Sequence, residues 1–355
     1  MPESKDRQKI RLTLSPQAER YARRDAPREA RLMAARGALP LPPVELATVL
    51  FALMHDPDAE VKSTARESLE SLPENVIEPV LTGATHPAVL SHLACACRDD
   101  EGRCEKLALN SATDDATIAF LAALPFRGVV EIVANNQERM LRAPEIVDAL
   151  GSNPLTGRSV IDRILSFLGV KDPLEEPESE DGPVSDSEAV AALRAVLGED
   201  MGHLAKAMVE ESETDVADDA NLYALIQQMN IVQKVKLARL GNKEARGLLV
   251  RDRNKVVAVA AVSSPKLSDN EVVTIAQSRS VCDEVLRVIS SNRQWTRNYK
   301  VKLSLATNPR TPQPTAMKFV NFLQDNDLRA IVKSKDVPTA ISTHARRILM
   351  KKGKF

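Results

Sequence analysis

Aromatic side chains are scarce in this chain: seven Phe, three Tyr and one Trp make up 3% of its 355 residues. Glycine is scarce too, at 13, while Ala, Leu and Val supply most of a 43% hydrophobic fraction. β-Sheet proteins draw on aromatic and β-branched residues, so this mixture argues against sheets and for an all-α chain. Long apolar runs are missing; a membrane span needs roughly 18 such residues. The nearest, VVAVAAV at Val256–Val262, has the length of a buried helix segment. The opening residues, MPESKDRQKIRLTL, carry charge without an apolar stretch before a cleavage site, so no secretory signal and a cytoplasmic location are expected.

Only four Cys occur, at 95, 97, 104 and 282, too few and too uneven for a disulfide framework, so reduced thiols are expected. Glycine-rich phosphate loops, zinc-protease and nucleophile-elbow motifs and the kinase set are all absent, and the five His form no recognisable triad. No catalytic residue is assigned and a non-enzymatic role is expected. Thiols and imidazoles bunch once, as His86, His92, Cys95, Cys97 and Cys104. Such groups are zinc ligands. On a helix, however, Cys95 and Cys97 point about 200° apart and cannot reach one ion. Small buried cysteines are expected there, with no metal and no cofactor.

What is present is repetition. The segment Ala47–Leu72 reads as an apolar helix, an Asp-Pro turn from Asp56, and a second helix with Val61, Ala65 and Leu69 on one stripe. Its portion HDPDAEVKSTARESLESL resembles a HEAT repeat. Shorter units follow at Leu107–Leu124, Val133–Leu150, Gly151–Leu168, Ala261–Ser278 and Leu305–Leu323, most with Asn or Ser at the turn and Thr or Ser as a helix start. They resemble the LA-x-NP-x-TP units of leucine-rich-repeat-variant proteins, which are stacks of short helices related to the HEAT and armadillo class. Laid without gaps on Val288–Leu323, Val133–Leu168 matches at eight of 36 positions, among them Asn153/Asn308, Pro154/Pro309 and Thr156/Thr311. The resemblance covers about half of the chain and implies an α-solenoid of HEAT-like and leucine-rich-repeat-variant-like units in two halves, because each unit has one apolar face it cannot bury alone.

Charge divides the chain further. The net charge is −1, yet Gly241–Phe355 holds 22 Lys and Arg against 9 Asp and Glu, net +13, leaving the rest at −14. The stretch KDPLEEPESEDGPVSDSE (Lys171–Glu188) is acidic and nearly free of apolar residues, and a flexible linker is expected there. The organisation expected is therefore a charged helical lead-in over 1–40, a repeat array over 41–170, the linker over 171–188, and a second array over 189–355, basic from 241.

Between Val285 and Gln324 lie seven bases and no acid, a pattern that folding alone does not require. Within it, SNRQWTRNYKVK interleaves Trp295 and Tyr299 with Arg293, Arg297, Lys300 and Lys302. On one continuous helix Trp295 and Tyr299, four apart, would share a face. Aromatic surface beside guanidinium grips anionic ligands and anchors protein partners. The ligand-binding set expected is Arg287, Arg293, Trp295, Arg297, Tyr299, Lys300, Lys302 and Arg310. The expected function is an interaction scaffold whose basic half takes a protein partner with an acidic segment; binding of nucleic acid by the same bases is the alternative.

Overall fold

A computed structural model describes residues 11–23, 25–170, 185–209 and 216–353. Among the described residues the chain is all-helical, with short α-helices, two 3-10 turns and no strand. Residues 171–184 of the expected linker lie outside the described residues, and helix begins at Asp186. The chain divides into two compact units, Met1–Leu155 and Thr156–Phe355.

In the first unit, helices pack mainly on near neighbours in chain order. Pro43–Leu53 lies against Glu74–Thr82, which lies against Glu101–Leu109, which lies against Arg127–Ala134. A second row runs from Pro87–Ala96 through Asp115–Ala122 to Pro144–Ser152. The lead-in joins this packing: Pro16–Ala22 and Arg28–Ala35 bury Ala18, Ala34 and Ala35 against Val49, Leu53, Val61 and Ala65. The stripe Val61, Ala65 and Leu69 is fully buried, and Asp58 starts its helix by accepting the N–H groups of Glu60 (2.9 Å) and Val61 (3.3 Å). Arg31 holds the turn before it through Asp56 Oδ2 at 2.6 Å.

In the second unit, Ile231–Leu240 packs on Lys255–Val262, which packs on Asp283–Ser291, while Asp269–Gln277 packs on Tyr299–Thr307 and Gln313–Val320 on Thr339–Lys351. Lys255–Val262 also meets Arg158–Phe167. Helices on several sides explain why every residue of VVAVAAV is at most 1% exposed.

The repeated asparagines do one structural task three times. Asn110, Asn153 and Asn308 each end a helix in extended conformation, with φ/ψ of −72°/122°, −71°/127° and −73°/122°. Each is buried. Asn110 Nδ2 donates to the carbonyls of Leu81 (2.6 Å) and Gly83 (2.9 Å); Asn153 Nδ2 donates to Ala122 and Leu124 (both 2.8 Å); Asn308 Nδ2 donates to Ala276 (2.7 Å) and Ser278 (2.9 Å). In every case the acceptors close the end of the helix packed alongside. In every case, too, Oδ1 accepts the N–H two residues on, from Ala112, Leu155 or Arg310. Ser264, one residue past the end cap of Lys255–Val262, donates its hydroxyl to Arg239 O at 2.7 Å. Carbonyls orphaned at one helix end are thus satisfied by the turn that closes the helix packed alongside it.

Candidate functional site

The expected single helix through Trp295 and Tyr299 does not form, because two asparagines interrupt it. Helix Asp283–Ser291 stops at Asn292, whose Oδ1 accepts the N–H groups of Gln294 (2.9 Å) and Trp295 (3.3 Å) and starts a 3-10 turn, Trp295–Arg297. Asn298 then caps a new helix, Tyr299–Thr307, by accepting Lys300 N–H at 2.9 Å. Trp295 and Tyr299 therefore sit on different elements, both half-buried. The Tyr299 hydroxyl is engaged: it donates to Asp327 Oδ2 and accepts the Gln324 N–H at 3.0 Å. Burial and then the Asp327 carboxylate push this phenol above its ordinary 10.0.

The bases separate into several settings. Arg287 lies 3.7 Å from Asp283 and 3.6 Å from Glu284 on its own helix. Arg293, Arg297, Lys300, Lys302, Arg310 and Lys318 make no ion pair among the described residues, unlike Arg246, which is buried on Glu271 Oε1 at 2.9 Å. Three of the six converge. Arg293, Lys302 and Lys318 line an open groove of about 540 Å³ with Pro314, Thr315 and the exposed ring of Phe322, and among the described residues no carboxylate lines it. Lys302 Nζ stands 5.7 Å from the Phe322 ring centroid. Lys300 faces away, into a separate depression of about 430 Å³ shared with Arg279, Asp327 and Asp336. Arg297 and Arg310 are exposed and line neither.

Sequence reasoning missed Thr315 and Phe322 as parts of this groove and left Lys318 out of the binding set. Phe322 follows an apolar helical stretch like a core residue, but Phe319 takes the core place at 4% exposure while Phe322 is 60% exposed.

The histidine and cysteine cluster is spread out. His86 Nδ1 accepts Ala88 N–H at 3.2 Å as a helix cap, and His92 lies against Phe51 and 3.5 Å from Glu70. Burial holds the His92 imidazole below its usual range. Cys95 is exposed, whereas Cys97 and Cys104 are buried, with the Cys104 thiol donating to Cys97 O at 3.3 Å. Burial pushes Cys104 up to about 12. Among the described residues no three His, Cys, Asp or Glu side chains are grouped so as to hold a metal ion.

No family model, curated protein or solved structure gives a significant match to this chain.

Proposed function

We propose that this chain is a cytoplasmic, non-enzymatic interaction module, an α-solenoid of HEAT-like and leucine-rich-repeat-variant-like units that docks an acidic segment of a protein partner on its basic C-terminal array. Six bases between Arg293 and Lys318 without a carboxylate partner among the described residues carry this reading. Unpaired cations so close in sequence repel one another, and an acidic ligand relieves that repulsion. The asparagine turns favour the repeat reading, since they tie each unit to its neighbour by one recurring hydrogen-bond pattern.

Nucleic acid has less in its favour. The Tyr299 hydroxyl is committed to the fold and Trp295 is half-buried, so the two aromatics of this segment offer no pair of stacking platforms. Fluorescence anisotropy of the full chain with a Glu-rich peptide and with single- and double-stranded oligonucleotides, at low and physiological salt, separates the readings. Peptide binding that weakens with salt is expected. Oligonucleotides binding more tightly than the peptide, with a steep salt slope, would replace this proposal by the nucleic-acid one.

A further inference from the structure

The groove of Arg293, Lys302, Lys318 and Thr315 has a ligand chemistry of its own. Among the described residues its three cations make no ion pair and no acid lines it. Of its hydroxyls, those of Ser290 and Ser291 already donate to Arg287 O (2.7 and 2.9 Å) and that of Thr296 to Asn292 O (2.8 Å). The Thr315 N–H donates to Pro312 O at 2.9 Å, while its hydroxyl makes no hydrogen bond among the described residues. A single side-chain carboxylate would bring one charge and two oxygens, leaving most of this cationic field unmatched. A phosphate monoester brings about −1.5 to −2 charges and three acceptor oxygens. Beside the cations, Phe322 and Pro314 offer an apolar shelf, with Phe322 exposed at 60%.

We infer that this groove takes a phosphorylated Ser or Thr of a linear protein segment, with an apolar residue next to the phosphate seated on Phe322. The inference rests on the acidic-partner reading above and names its ligand. Arg293 supplies the planar fork suited to two phosphate oxygens, and Lys302 and Lys318 act as point charges. A polynucleotide fits less well, since it needs successive stacking surfaces along a track of cations, and this groove exposes one ring.

The test uses the full chain and three fluorescent probes. One is a pool of short peptides with central phosphoserine, a neighbouring Leu and degenerate flanks; the second is its twin with Glu at the centre; the third is a pool of short single-stranded RNAs. The phosphopeptides are expected to bind about tenfold or more tightly than the Glu twin, since a charge-assisted, multidentate contact is lost with Glu. Lys302→Ala with Lys318→Ala should remove about tenfold of the phosphopeptide affinity, and Arg297→Ala with Arg310→Ala, outside the groove, less than about threefold. Should the first pair melt early, Lys302→Met with Lys318→Met keeps the side-chain stems and repeats the comparison. Equal binding of phosphoserine and Glu pools would overturn the phosphate assignment and leave acidic docking standing. Equal losses from the two pairs of substitutions would overturn the groove. RNA bound more tightly than either peptide pool, or no peptide bound at all, would overturn the assignment together with the reading beneath it.

Discussion

Asn308 shows how much one side chain carries in this fold. Its amide closes two carbonyls at the end of helix Asp269–Gln277 and its oxygen shapes its own turn through the Arg310 N–H. Asn308→Ala leaves those carbonyls without their side-chain donor in a buried place, so a loss of about 1–3 kcal/mol is expected in denaturant unfolding. Asn153→Ala should cost a similar amount, having the same geometry. The Asn-Pro-x-Thr phrase was legible as helix punctuation in the sequence, but its reach to a helix some thirty residues earlier was not, because hydrogen-bond partners leave no local pattern. Glu284 offers a pH test. Its carboxyl is buried, Oε2 has no hydrogen-bond partner among the described residues, and burial pushes its pKa above the ordinary 4.5, with Arg287, Lys255 and Arg158 opposing that and Asp283 adding to it. A raised folded-state value means the folded chain holds the proton more tightly than the unfolded one. The contribution to stability is therefore full below the unfolded value and is lost as pH rises through the folded one. Glu284→Gln is expected to raise Tm at neutral pH, by roughly 2–4 °C per kcal/mol recovered, and to leave it unchanged in acid below that window. A variant that melts lower at neutral pH would show that its cationic neighbours outweigh its burial.

At the scale of the element, helix Lys255–Val262 is tightly confined, buried along its apolar run and contacted by Ile231–Leu240, Asp283–Ser291 and Arg158–Phe167. Each of its residues from Val256 to Val262 is at most 1% exposed, which leaves little room for a larger residue. Ala260→Leu is expected to destabilise by about 1–3 kcal/mol through overpacking, measured by chemical denaturation. The length and composition of this run gave its buried helical character away in the sequence. The segment Asn292–Asn298 was harder to read, since its two charges and one ring suit a helical face equally well. Two side-chain caps decide it: Asn292 starts the 3-10 turn and Asn298 restarts the helix. Asn292→Ala removes two side-chain-to-backbone bonds at the residue next to Arg293. Weaker phosphopeptide binding with a Tm close to that of the parent chain is expected, because the turn is a surface element.

At the scale of the whole molecule, the all-helical character of the described residues follows from an Ala-, Leu- and Val-rich composition with few rings, and composition alone pointed to it. No helix among the described residues is long and apolar enough to cross a membrane. The charge split was equally plain in the sequence: net −1 overall against +13 in Gly241–Phe355. What the residue order hid was convergence. Arg293, Lys302 and Lys318 come from a turn and two successive helices, and only packing places them in one groove while sending Lys300 to another. Exposed charges of this kind act over a Debye length of about 8 Å at physiological salt, so partner binding should weaken as salt rises. The most direct measurement is the affinity of the full chain for a Glu-rich or phosphorylated peptide, before and after Arg293, Arg297, Lys300, Lys302, Arg310 and Lys318 are all replaced by Gln. The account predicts that binding is lost while Tm holds or rises as mutual repulsion is removed. Undiminished binding by a folded variant would contradict it.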